Sequence, residues 1–121
     1  LARAPRIFHV NWFRQNAEGK YLWPGYGENL RVLEWILERC AGRVGAQEGA
    51  IGLLPRPQDL DVSGLEIDPA VLAELTSVPA AALRQELADV RAYLQGFGAR
   101  APAALYEELD LIGLRLDASS R

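Results

Sequence analysis

Between Asn11 and Arg39 the chain reads NWFRQNAEGKYLWPGYGENLRVLEWILER, and this stretch holds six of its ten aromatic residues around a glycine-containing turn. Flat side chains beside such a turn form a slot for a planar ring. Stacking of a nucleobase on an aromatic face contributes about 1–3 kcal/mol and is indifferent to which base it is. Phe13, Tyr21 and Tyr26 fall near the ends or turns of short elements, where side chains can project into a cleft rather than into a core. Selectivity then needs groups that match the ring edge. Asn29 carries both a carbonyl acceptor and an amide donor, while guanine offers an acceptor at O6 and donors at N1 and N2. Backbone N–H groups from Gly27 to Leu30, near a helix start, could serve the same edge. Adenine would leave such groups mispaired, which is where discrimination arises. Trp12, Trp23 and Trp35, in contrast, are expected to fill the core between strand and helix.

Other chemistries are missing. No GxxxxGK[ST] motif is present, and Gly25-Tyr26-Gly27 alone makes no phosphate cradle. His9 is the sole histidine and, within an apolar stretch, is expected to pack in the core. Cys40 falls on what looks like the buried side of a helix, as a small hydrophobe. Glu107, Glu108 and Asp110 form a solvated helix face. No residues assemble a catalytic constellation or a metal-ligand set.

The elements that must position the aromatic stretch follow from periodicity and turn chemistry. Arg6–Phe13 mixes β-branched and aromatic residues and predicts a strand. Gln15–Lys20 is a turn, Tyr21–Trp23 a second short extended piece halted by Pro24, and Trp23–Gly27 another turn. Leu30, Leu33, Leu37 and Cys40, widened by Val32, Trp35 and Ile36, predict a helix buried over much of its girth and ended by Gly42. Gly42–Gly52 reads as loop, Ile51–Pro55 as extended, and Pro55–Gly64 as turn. Asp68-Pro69 opens a short helix to about Leu75. Ser77 and Pro79 begin another, with Leu83, Leu87, Val90 and Leu94 on one face, stopped by Gly96 and Gly98. Pro102 starts the last, with Leu105, Leu109, Ile112 and Leu116 in register to pack antiparallel on the previous one. The fold class is a predominantly helical α+β arrangement: short extended N-terminal segments, then about four helices. The 121 residues make a single domain, with a compositional seam dividing an aromatic segment, 1–41, from a helical subdomain, 42–121.

Net charge is −3 but uneven: residues 1–40 carry six cations against four carboxylates, residues 41–121 seven against twelve. The acidic back half argues against a nucleic-acid surface, and the mildly basic front is compatible with one polyphosphate. No apolar run approaches the ~20 residues of a membrane span, so no membrane partner is expected. A single Cys suits a reducing, cytoplasmic setting. The chain starts without Met in a segment that reads as structured, so Leu1 is expected to be a cut end.

WPGYGEN followed by RVLEWI, with NWF upstream, resembles the base pocket of the GTP-dependent phosphoenolpyruvate carboxykinases. IGLLPRPQDLDVSGL at 51–65 is similar to a second stretch of that family, and DVRAYL is similar in character. The resemblance implies that the chain is the C-terminal part of an α/β nucleotide-binding lobe. It implies a guanine sandwiched by Phe13 and Tyr26, with Tyr21 at its edge and Asn29 reading it, and Gly27 and Glu28 within the same motif. The family usually has Phe where this chain has Tyr21 and Tyr26, and a phenol keeps the stacking face while adding a hydroxyl that needs a partner. The resemblance further implies a parent enzyme that converts oxaloacetate and GTP to phosphoenolpyruvate, GDP and CO2 in gluconeogenesis, with Mg2+ and Mn2+. The ligands of those ions and the phosphate loop belong to an upstream remainder, so this piece alone should be inactive. The alternatives are a non-enzymatic helical module gripping a peptide or partner helix through exposed aromatics, and a folded remnant that self-associates through uncovered apolar surface.

Overall fold

The computed structural model describes residues 4–119, and Leu1, the expected cut end, lies outside the described residues. The order of elements is α1 (Asn29–Cys40), β1 (Gln47–Gly49), β2 (Gly52–Leu54), α2 (Pro69–Leu75), α3 (Ala80–Gln95) and α4 (Ala103–Ser119), an α+β arrangement in which helix dominates. The chain groups into two compact units. One runs to Gln47 and resumes over Leu54–Ser77; the other takes Glu48–Leu53 and the chain from Val78.

The first unit is built on α1. Its C-terminus closes as a Schellman motif: Gly42, at φ 74°, lets its own N–H reach Arg39 O at 3.2 Å while Arg43 N–H reaches Glu38 O at 2.9 Å. The core is Trp35, Leu60 and Leu72, with Phe8, Ile36, Val44, Ala46, Val62 and Ile67 packed around it. Of the stripe expected to be buried on α1, only the part around Trp35 faces inward. Trp35 is buried, whereas Leu30 is 73% exposed, Leu37 66% and Leu33 44%. An indole removes more apolar area from water than any leucine, so the face carrying Trp35 turns inward and the leucine stripe turns out. Cys40 is exposed for the same reason.

Arg6–Phe13 does not form the expected strand. The segment has no ladder partner among the described residues and is tied to α1 by side chains. Arg6 donates to the carbonyl of Arg39. Phe8 meets Trp35 edge to face, centroids 6.2 Å apart. An Asx turn, with Phe13 N–H on Asn11 Oδ1 at 2.9 Å, then redirects the chain. Burial still alternates along the segment, with Phe8, Val10 and Trp12 half-buried, so His9 falls on the outer side and is exposed, not packed as expected.

α2 starts as its sequence dictates: Asp68 accepts from Ala70 N–H at 2.8 Å and Pro69 stands at the first helical position. Its C-terminus is held from outside. Arg14 Nη1 donates to Glu74 O at 2.6 Å and Ser77 O at 2.9 Å, and Gln47 Nε2 donates to Thr76 O at 3.0 Å. Residues 47–49, expected as loop, are instead β1, paired with β2 in a hairpin across Ala50-Ile51.

In the second unit α3 and α4 pack as the expected antiparallel pair. Arg84 bonds Asp117 at 2.7 Å and Arg91 bonds Asp110, pairings that run in opposite chain directions. Leu109 and Leu116 are buried beneath them.

Candidate functional site

The aromatic stretch folds into a small hairpin followed by a turn into α1. Leu22 N–H bonds Arg14 O at 2.9 Å, and Gln15 and Tyr21 form an antiparallel bridge. Asn16 closes the loop, its Oδ1 accepting from Glu18 N–H at 3.1 Å and Lys20 N–H at 2.9 Å. That register sets Phe13 and Tyr21 diagonally on one face, where the rings meet edge to face with centroids 6.1 Å apart. Arg14, anchored on the end of α2, pins this hairpin to the core of its unit.

Pro24 ends the hairpin and Gly25 makes the corner. Its φ of 135° with ψ near 180° is a conformation essentially confined to glycine. A 3-10 turn over Tyr26–Glu28 then feeds α1, with Glu28 N–H on Gly25 O at 3.1 Å and Asn29 N–H on Tyr26 O. Two of the backbone donors expected to face a ligand are therefore already used. Arg31 fixes the start of the helix by bonding Glu28 Oε2 at 2.6 Å and the Asp61 carbonyl at 2.9 Å.

A cleft of about 430 Å3 opens beside this turn, lined by Trp12, Tyr26, Gly27, Asn29, Leu30 and Leu33. Small-molecule sites commonly span about 300–1,000 Å3. Of the residues singled out from sequence, Tyr26, Gly27 and Asn29 come together on its wall. Phe13 and Tyr21 lie on the neighbouring hairpin, paired with each other, and Glu28 faces Arg31 instead of the cleft. Tyr26 is 91% exposed and has no ring partner among the described residues, so its face is open to a planar guest.

Three lining residues escaped the sequence reading. Trp12 was expected in the core; it is half-buried, stacked obliquely on Trp23 with centroids 6.1 Å apart, and turned toward the cleft. Its neighbour Phe13 faces Tyr21, and successive residues of an extended chain point to opposite sides, which is the signal that could have placed it. Leu30 and Leu33 line the cleft because α1 is turned on its Trp35 face. The lining carries no charged side chain, so it suits a neutral flat ring better than a polyphosphate.

Carboxyl groups with lowered pKa lie outside the cleft. Arg56 beside Asp59 and hydrogen bonding from Ser63, side chain first and backbone second, to Asp61 hold those carboxyls below the ordinary range, and Arg43 does the same to Glu38. A second hollow, about 560 Å3, lies between α3 and α4, but its Arg91 and Asp110 are spent on each other. Among the described residues no group of three or more His, Cys, Asp or Glu is placed to hold a metal ion, and no helix is long and apolar enough to cross a membrane.

An aromatic cleft with no charged lining opens at the start of α1, and comparison with known proteins gives the chain a family. The family model described as "Phosphoenolpyruvate carboxykinase C-terminal P-loop domain" matches residues 1–115. The chain is similar to phosphoenolpyruvate carboxykinase [GTP] of Neocallimastix frontalis, 47% identical over 119 residues, which is 98% of this chain and 19% of the relative. It is similar to the enzyme of the same name from Treponema pallidum, 45% identical over 116 residues, 95% of this chain and 19% of the relative. A third, from Anaeromyxobacter dehalogenans, is 41% identical over 121 residues, all of this chain and 20% of the relative. The chain belongs to the GTP-dependent phosphoenolpyruvate carboxykinases, within their C-terminal P-loop domain. It spans about a fifth of the length of the curated relatives it matches.

Proposed function

We propose that this chain supplies guanine recognition to a GTP-dependent phosphoenolpyruvate carboxykinase, the whole enzyme converting oxaloacetate and GTP to phosphoenolpyruvate, GDP and CO2. Residues 1–41 are the base-binding segment and 42–121 the helical subdomain. Tyr26 stacks on one face of the base. Phe13 takes the other face and Tyr21 the edge. Asn29 reads the ring edge, with Gly27 and Glu28 shaping the turn.

The observation that carries this reading is the convergence of Tyr26, Gly27 and Asn29 of the WPGYGEN stretch on one uncharged cleft, in a chain of this family. Mg2+ and Mn2+ would be held by residues of the enzyme outside this chain, as would the triphosphate. The chain alone is expected to have no carboxykinase activity, and a lone Cys suits a cytoplasmic enzyme. In the full-length enzyme, Asn29→Ala should lower the preference for GTP over ATP about tenfold, the equivalent of one lost hydrogen bond and its mispaired alternative. Steady-state kinetics with both nucleotides measures it, and an unchanged preference removes Asn29 from the site.

A further inference from the structure

The carboxamide in the cleft, that of Asn29, is set by a neighbour. Trp23 is only 7% exposed, and its indole Nε1 donates to Asn29 Oδ1 at 2.9 Å. An indole N–H can donate but never accept, so the atom it meets must be the carboxamide oxygen. Turning the amide over would set its NH2 against the indole N–H, two donors facing each other, and strand a buried donor without an acceptor. The first atoms of the residue are held as well, since Asn29 N–H bonds Tyr26 O. Trp23 is itself braced by Trp12 and by the hairpin that ends at Leu22.

We propose that Trp23 is the positioning residue for purine selectivity: it locks Asn29 so that the amide NH2, not the oxygen, meets the ring, and Asn29 therefore selects an acceptor such as the 6-oxo group. This rests on the cleft being the base pocket. The 6-amino group of adenine would meet that NH2 donor to donor and be rejected. The indole gives orientation without touching the nucleotide.

The test uses the full-length enzyme, with KM and kcat measured for GTP and ATP. Trp23→Phe keeps the ring and removes the donor; the preference for GTP over ATP should fall about three- to tenfold, through KM, with kcat at saturating GTP within about twofold. A loss confined to kcat would mark a merely structural role and overturn the proposal. Asn29→Asp keeps the acceptor that Trp23 needs while replacing both cleft-facing N–H donors by oxygen, so it should abolish the guanine preference. Retained preference in Asn29→Asp would mean that an acceptor reads the ring, which overturns the proposal even if Trp23→Phe fails to fold. Asn29→Ala separates the two readings. If it leaves GTP preference intact, the base pocket itself is misassigned; if it lowers the preference and Trp23→Phe does not, only the role of Trp23 falls.

Discussion

Tyr26 bears most of the stacking load in the proposed pocket, because it stands free at the cleft while Phe13 and Tyr21 are occupied with each other. Losing one stacking face costs about 1–3 kcal/mol, which corresponds to roughly five- to 150-fold in affinity. Tyr26→Ala should therefore raise the KM for GTP by an amount in that range, and Tyr26→Phe, which keeps the ring and drops the hydroxyl, should leave it within about twofold. Equal effects of the two substitutions would show that the hydroxyl, not the ring, is what matters. Stacking and edge recognition demand aromatic rings and a carboxamide, which is why the sequence singles out Tyr26 and Asn29, and both line the cleft. Their partners were not legible there. Nothing in the spacing of Trp23 and Asn29 states that an indole N–H would claim the amide oxygen, and that contact decides which half of Asn29 is left for a ligand.

At the scale of elements, local chemistry predicted ends better than faces. The Asp68-Pro69 start of α2 and the Gly42 stop of α1 rest on backbone groups only a few residues away, and both form as expected. The facing of α1 rests instead on competition between Trp35 and three leucines for one core, which a helical stripe of mostly apolar residues leaves open. The strand expected over Arg6–Phe13 fails because a ladder needs a partner that propensity cannot supply. The turn that carries Leu60 into that core is clamped by Arg56, whose Nε and Nη2 bond Asp59 at 2.7 and 3.0 Å. Donation from Arg56 holds the Asp59 carboxyl below its ordinary value of 3.8, against the opposing pull of burial. A lowered folded pKa means that the clamp contributes in full above the unfolded value near 4 and is lost as pH falls through the lower folded value. The urea midpoint of the wild-type chain should thus drop between pH 5 and pH 3 more steeply than that of Asp59→Asn. Parallel pH dependences in the two would exclude the clamp as a contributor.

Over the whole molecule, apolar surface is distributed in a way that a self-sufficient domain avoids. Among the described residues no large side chain is fully buried, and Leu30, Leu33 and Leu37 stand in a row along the outer side of α1. Apolar area left in water favours association by about 25 cal/mol per Å2 removed, so a ridge of three leucines beside an exposed tyrosine is a strong drive to find a cover. The chain spans about a fifth of its relatives, and in a longer polypeptide that cover can come from the same molecule. Studied by itself, the chain should satisfy the ridge with copies of itself, its apparent mass in light scattering rising with concentration. Leu37→Glu lies outside the cleft lining and places a good helix former on the ridge, so it should leave helix content by circular dichroism intact while flattening that rise. A wild-type chain that stays monomeric at every concentration would show that the leucine row is tolerated in water. If the wild-type chain associates and Leu37→Glu does so just as strongly, the contact runs through some other surface. Either result would also free the Leu30 and Leu33 end of the ridge to be explained by the cleft alone.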